Sequence, residues 1–94
     1  MLKTRTWNIL DYLKTEKDVQ RYLEVAFAEG NSEYIITALG NAAKARKLMS
    51  KAAKKAGVTR EGLYKSLAKN GAPAFSTVMN VVNSLGYKLT LARA

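Results

Sequence analysis

Residues 50–67 read SKAAKKAGVTREGLYKSL, a pattern that predicts a short helix, a tight turn and a second helix. The inward-facing positions of the two helices carry small or branched apolar side chains: Ala52, Ala53, Ala56, Leu63 and Leu67. Gly57 permits the positive φ of the turn, Val58 is expected to plug it, and Thr59 can cap the second helix. The segment from about Leu48 to Lys69 is therefore interpreted as a helix-turn-helix.

The outward face of the second helix carries polar groups that suit the edges of DNA bases. We expect four residues to read bases in the major groove: Arg60, Glu61, Tyr64 and Lys65. Arg60 can pair with the O6 and N7 atoms of guanine, and Glu61 can accept a hydrogen bond from a cytosine amine. Two alternatives stay open. Glu61 can instead cap Thr59 or pair with Lys65, and Tyr64 can be a half-buried packing residue.

A second set of residues around this helix suits phosphate contacts, which position a protein on DNA without reading its sequence. The expected phosphate contacts are Lys44, Ser50, Lys51, Lys54, Lys55, Thr59, Lys69 and Asn70. The distribution of charge supports them. Residues 1–40 hold five basic and six acidic residues, whereas residues 41–94 hold eleven basic residues and one acidic residue, Glu61. Such a basic half requires either a polyanionic partner or a strongly solvated surface. For Lys54 and Lys55, a solvated surface without a partner stays open as an alternative.

The remaining patterns predict an all-α domain with a short C-terminal strand. The chain of 94 residues is expected to form a single domain over residues 1–94. Within it, residues 1–31 are an N-terminal extension and helix, and residues 32–94 are the helix-turn-helix core. The predicted elements, in order, are a lead-in at Asn8–Leu13, a helix capped by Thr15 and Asp18 and stopped by Gly30, helices at Glu33–Lys47, Ser50–Ala56 and Arg60–Lys69, a helix from about Ser76 that is stopped by Gly86, and a strand at Tyr87–Leu91. Gly40, inside the second helix, is expected to pack closely against another helix.

The composition excludes several classes of chemistry. The chain has no cysteine and no histidine, which rules out disulfides, thiolate or imidazole metal sites and histidine-based acid–base catalysis. We therefore expect no cofactor, no metal and no enzymatic activity. Neither a signal peptide nor a membrane-spanning stretch is evident, so a cytoplasmic protein without a membrane partner is expected.

The chain also resembles a known family over nearly its whole length. The matching segments are Asp11–Thr15, Tyr22–Glu24, Glu29–Asn31, Ala38–Ala45, Thr59–Lys65, Asn70–Gly71 with Pro73, Phe75, Thr77 and Val78, and Leu85–Gly86. They are similar to those of the HigA-like addiction-module antidote proteins, small antitoxins with a Cro/C1-type helix-turn-helix. The fold that this resemblance implies is a five-helix lambda-repressor/Cro-like domain with an extra N-terminal helix.

The function that the resemblance implies is that of a labile antitoxin. Such a protein binds and silences a RelE/HigB-like ribonuclease toxin, and it represses its own operon as a homodimer on a palindromic double-stranded DNA operator. The residues that we expect to contact a toxin or a second subunit are Trp7, Tyr12, Tyr87 and Leu89, with packing on the chain's own core as the alternative. Antitoxins often have an acidic surface, whereas this chain is basic overall. Its N-terminal half can still supply acidic groups, namely Glu16, Asp18, Glu24 and Glu29.

Two other functions compete with this one. A stand-alone phage-type or chromosomal transcriptional regulator would use the same DNA chemistry without a toxin partner. A nonspecific nucleic-acid coat or RNA-binding protein would depend almost wholly on phosphate contacts, so that its affinity for every sequence would fall alike with salt.

Overall fold

The computed structural model describes residues 8–94, and Trp7 lies outside them. Within these residues the chain forms a single 3-10 turn and five α-helices. They are the turn Ile9–Tyr12 and the helices α1 Glu16–Glu29, α2 Ser32–Ala45, α3 Met49–Ala56, α4 Arg60–Ser66 and α5 Phe75–Ser84. The expected all-α architecture with five helices is confirmed. None of the helices in this range is long and apolar enough to span a bilayer.

The first helix begins and ends as the sequence predicts, and the second begins one residue before its predicted start. Thr15 and Asp18 form a reciprocal capping box: the Thr15 hydroxyl accepts from the Asp18 amide at 3.1 Å, and the Asp18 carboxylate accepts from the Thr15 amide at 3.2 Å. Gly30 ends α1 with a φ of 77°. The Asn31 side chain then accepts from the Tyr34 amide at 2.9 Å and starts α2.

The second helix, α2, lies at the centre of the core. Its buried residues are mostly small: Ala38, Leu39, Gly40, Ala42 and Ala43. α2 contacts α1, α3, α5 and the 3-10 turn. A Cβ atom at Gly40 would lie 3.0 Å from the carbonyl oxygen of Leu67, the C-cap residue of α4. The close approach predicted for Gly40 is confirmed, and it brings the end of α4 against α2.

Two predicted helix ends lie too far along the chain. α2 ends at Ala45 rather than Lys47, and α4 ends at Ser66 rather than Lys69. After α4 the chain turns back sharply: Asn70 has a φ of 69°, and the Gly71 amide donates to the Ala68 carbonyl at 2.8 Å. A Cβ at Gly71 would collide with the Ser66 carbonyl. This turn includes Ala68 and Lys69, which the predicted longer α4 would have contained.

The predicted strand at Tyr87–Leu91 is wrong. No strand occurs anywhere in residues 8–94, so this segment has no ladder to join. Instead the Tyr87 amide donates to the Val82 carbonyl at 3.1 Å, which closes the end of α5. Tyr87 and Leu89 are half-buried against the core, whereas Leu91 is 98% exposed. Because Tyr87 and Leu89 pack beside α1, the alternating pattern reflects contact with a helix rather than with a second strand. They line a cleft of about 530 Å³ with α1 residues that include Leu23 and Phe27.

The turn after α2 stores backbone strain that a substitution can release. Lys47 has a φ of 57°, the left-handed region that favours glycine, and the Leu48 amide donates across it to Ala43 at 2.8 Å. We expect Lys47→Gly to raise the free energy of unfolding by about 1 kcal/mol, because a left-handed residue with a side chain costs about that much. Urea unfolding followed by circular dichroism measures the change. Lys47→Ala is the matched control: it removes the charge but keeps the strain, so a similar gain from this variant would contradict the explanation.

Candidate nucleic-acid interface

A three-residue turn joins α3 to α4 and fixes the angle between them. Gly57 has a φ of 74°, and the Val58 amide donates to the Ala53 carbonyl at 3.0 Å. The Thr59 hydroxyl accepts from the Gly62 amide at 2.9 Å, which satisfies one of the free amides of α4. The predicted positive φ of Gly57 and the predicted helix cap by Thr59 are thus confirmed. Val58 does not plug the turn, since it is 42% exposed.

The orientation of α4 follows from two buried leucines. Leu63 is fully buried and Leu67 nearly so, and both belong to the same core cluster as Ala52 and Ala53 of α3. The opposite face of α4 is therefore exposed. All four residues that the sequence predicts to read bases are exposed: Arg60, Glu61, Tyr64 and Lys65.

Glu61 has no partner inside the described part of the chain. Neither alternative suggested by the sequence is formed, because Glu61 makes no ion pair with Lys65 and no hydrogen bond with Thr59. Its carboxylate is left on the exposed first turn of α4, next to Arg60. The first turn therefore presents an acceptor and a guanidinium side by side.

Tyr64 is held by a contact that the sequence does not predict. The Nζ atom of Lys44, in the last turn of α2, lies 4.4 Å from the centroid of the Tyr64 ring. A cation at this distance from an aromatic face is stabilised by about 0.5–1 kcal/mol at exposed sites. Tyr64 is 41% exposed, so the contact leaves part of the ring accessible. Lys44, which is expected to contact a phosphate, is half-buried. Its ammonium group lies over one face of the Tyr64 ring, a side chain that is predicted to read bases.

The other residues expected at phosphates surround α4 and are all exposed: Ser50, Lys51, Lys54, Lys55, Thr59, Lys69 and Asn70. None of these lysines has a carboxylate partner, since the single ion pair formed within residues 8–94 joins Arg46 to Glu16 at 3.5 Å. The positive charge of α3 is therefore not neutralised by the chain itself. An unpaired cationic surface of this kind attracts a polyanion.

The described residues expected to contact a toxin or a second subunit differ in their burial. Tyr12 is 59% exposed, whereas Tyr87 and Leu89 are half-buried on the chain's own core. Burial raises the pKa of Tyr87, and the nearby Glu16 carboxylate raises it further. Tyr87 thus faces α1 of its own chain, as the alternative reading of the sequence had it.

Four exposed acidic residues lie on α1, a helix that has little contact with this interface. α1 contacts α2 and has no substantial contact with α3 or α4. Its exposed acidic residues are Glu16, Asp18, Glu24 and Glu29. Glu24 accepts from the Gln20 side chain at 3.2 Å. No group of acidic side chains in residues 8–94 is arranged to hold a metal ion.

Comparisons with known proteins point to one family. The sequence profile of a family described as "probable addiction module antidote protein" matches residues 3–93. A protein of Haemophilus influenzae, described only as uncharacterised, is 39% identical over 90 residues, which are 96% of this chain and 92% of that relative. No solved structure gives a significant match.

The cap of α4 gives a test of how this interface is held together. We expect Thr59→Ala to lower the free energy of unfolding by about 1 kcal/mol, because it removes the acceptor of the Gly62 amide. Urea unfolding measures the loss. Thr59→Ser keeps the hydroxyl and should stay close to the wild type. Equal losses in the two variants would show that the Thr59 methyl group, and not the cap, stabilises the helix.

Proposed function

Because this chain belongs to the family of probable addiction module antidote proteins, we propose that it is a cytoplasmic, DNA-binding antitoxin. In this proposal α3 and α4 form a HigA-like helix-turn-helix of the Cro/C1 type that binds the palindromic operator of its own operon. The acidic N-terminal part binds and silences a RelE/HigB-like ribonuclease toxin. The observation that carries the proposal is the exposed cationic face of α3 and α4, whose lysines find no carboxylate partner in the described chain.

The proposed DNA contact begins at the first turn of α4. Arg60 and Glu61 are exposed there, and Lys65 lies further along the same helix. The N-terminal turns of a recognition helix are the part that reaches base edges in the major groove. Because Leu63 and Leu67 bury the opposite face, α4 can enter the groove without unpacking from the core.

The proposed phosphate contacts flank this helix on both sides. Lys51, Lys54 and Lys55 lie on α3, and Lys69 with Asn70 follows α4. Each lysine that neutralises a phosphate releases condensed counterions, which makes the affinity fall with salt. These lysines would therefore set the strength of binding, and Arg60 and Glu61 would set its specificity.

The proposed toxin-binding surface is the acidic part of the molecule. Residues 8–40 hold six acidic and three basic residues, a net charge of −3. A ribonuclease must attract RNA and so presents a cationic surface, which complements this region. Since α1 lies apart from α3 and α4, the chain can bind a toxin and DNA through different helices. A stand-alone regulator would have no use for such a division.

The DNA part of the proposal is tested on DNA taken from upstream of the chain's own gene. We expect Arg60→Ala to reduce discrimination at one base pair by about 1–3 kcal/mol, measured by fluorescence anisotropy with single-base variants of the site. Lys54→Ala should instead weaken binding to all sequences alike and reduce the slope of log affinity against log salt by about 1. Arg21→Ala removes one positive charge from α1 and serves as the matched control. If Arg60→Ala weakens every sequence equally, the chain is a nonspecific coat protein.

The toxin part of the proposal is tested by co-expression with the reading frame that adjoins the chain's own gene. We expect the wild-type chain to restore growth that this partner arrests. The double variant Glu24→Lys/Glu29→Lys should lose this protection, because it reverses two exposed charges on α1. Lys54→Ala/Lys55→Ala, which alters charge on α3, should protect as well as the wild type does. Growth without any arrest by the neighbouring frame would instead favour the stand-alone regulator.

A further inference from the structure

The Tyr64 ring on α4 is covered on one face by a side chain of α2. The Nζ atom of Lys44 lies 4.4 Å from the ring centroid, and yet 41% of Tyr64 stays exposed. Lys44 itself is half-buried, and no carboxylate pairs with it within residues 8–94. The ring is therefore the partner that this ammonium group has in the described chain, whereas the lysines of α3 have none.

The packing of α2 against the end of α4 places this pair. Gly40 and Lys44 lie one helical turn apart on α2, and Tyr64 lies about one turn before Leu67. The close approach of Gly40 to Leu67 and the contact of Lys44 with Tyr64 are therefore neighbouring contacts between the same two elements. Because the first of them involves the backbone, it holds the start of both side chains at a fixed separation.

We propose that Lys44 is a positioning residue, which holds the Tyr64 ring so that the face away from Lys44 contacts the methyl group of a thymine. The inference rests on the proposed function. The C5-methyl of thymine is the apolar group that a base pair presents in the major groove. The face of an aromatic ring is apolar and slightly negative, so it suits both an ammonium group and the C–H groups of a methyl.

This role differs from the phosphate contact that the sequence predicts for Lys44. To reach a phosphate, the ammonium group would have to leave the ring. Held where it is, it orders Tyr64 before DNA arrives, and a side chain that is already ordered loses less entropy on binding. Lys44 would thus contribute to specificity through Tyr64, while the exposed lysines of α3 contribute to affinity.

The position of Tyr64 on α4 predicts which thymine it contacts. Arg60 and Tyr64 lie four residues apart and therefore neighbour each other on the helix surface. Four residues of α-helix rise by about 6 Å, and successive base pairs are about 3.4 Å apart. The thymine is therefore expected within about two base pairs of the pair that Arg60 reads.

Deoxyuridine lacks only the methyl group of thymine, so it isolates this contact. Each thymine of the upstream DNA is replaced in turn, and the affinity is measured by fluorescence anisotropy. We expect one replacement, close to the base pair that Arg60→Ala identifies, to weaken wild-type binding roughly fourfold, the value of one buried methyl-sized group. Tyr64→Ala should abolish this dependence on the methyl group. Tyr64→Phe keeps the ring without the hydroxyl and should retain it.

Two variants of Lys44 separate positioning from a phosphate contact. Lys44→Ala should reduce the methyl dependence to less than about twofold and leave the slope of log affinity against log salt unchanged. Lys44→Arg keeps a cation on the ring and should preserve the roughly fourfold effect. Lys54→Ala is the matched control, since it should lower the salt slope by about 1 and keep the methyl dependence.

The free protein reports on the pair without DNA. The ring current of Tyr64 should shift the NMR signals of the Lys44 methylene protons next to Nζ upfield, and Tyr64→Ala should remove this shift while Tyr64→Phe keeps it. Thermal unfolding of each variant shows whether it is folded.

Three results would overturn the proposal while DNA binding stands. They are binding to the upstream DNA without any dependence on a thymine methyl, loss of that dependence in Tyr64→Phe, and a salt slope that Lys44→Ala lowers as much as Lys54→Ala does. A folded chain that shows the upfield shift but binds no upstream DNA would instead refute the proposed function, and the thymine contact with it.

Discussion

The structure depends on the close approach between α2 and the end of α4. Only a residue without a side chain fits easily at Gly40, because a Cβ there would lie 3.0 Å from the Leu67 carbonyl and 3.2 Å from the Leu67 Cβ. Three more of the buried residues of α2 are alanines, namely Ala38, Ala42 and Ala43. Since α4 is only seven residues long, it could not form by itself and relies on packing against α3 as well as on this approach to α2. Gly40, twenty residues before α4, therefore allows the end of α4 to approach α2 closely.

Much of the fold could be predicted from local signals. The side chains of Thr15, Asn31 and Thr59 each accept a hydrogen bond from a backbone amide at the start of a helix. Short side chains with an oxygen atom are the ones that suit this position. Gly30 and Gly57 adopt the left-handed conformation that ends a helix. These interactions span three or four residues, so they can be recognised in sequence alone. They also determine the exposed face of α4, because spacing places Leu63 and Leu67 on one side.

The features that could not be predicted depend on contacts between distant residues. The strand predicted at Tyr87–Leu91 does not form. An alternating pattern does not show which element its apolar residues pack against, and here that element is α1. The contact between Lys44 and Tyr64 joins residues twenty positions apart on different helices. α4 stops early because the chain folds back at Asn70 and Gly71, and this reversal outweighs the helical periodicity before it. Val58 is apolar and yet exposed, which its residue type alone does not indicate.

The separation of charge between the two halves has an energetic consequence. Arg46 and Glu16 form the single ion pair found in residues 8–94, so the acidic and basic regions hardly neutralise each other. The self-repulsion of so many unpaired lysines opposes folding, and the apolar core around α2 must offset it. A polyanion that binds the folded chain removes part of this repulsion and stabilises the native state by mass action. The charges by which α3 and α4 would attract a polyanion are thus also the ones that make the free protein less stable than its core alone would allow.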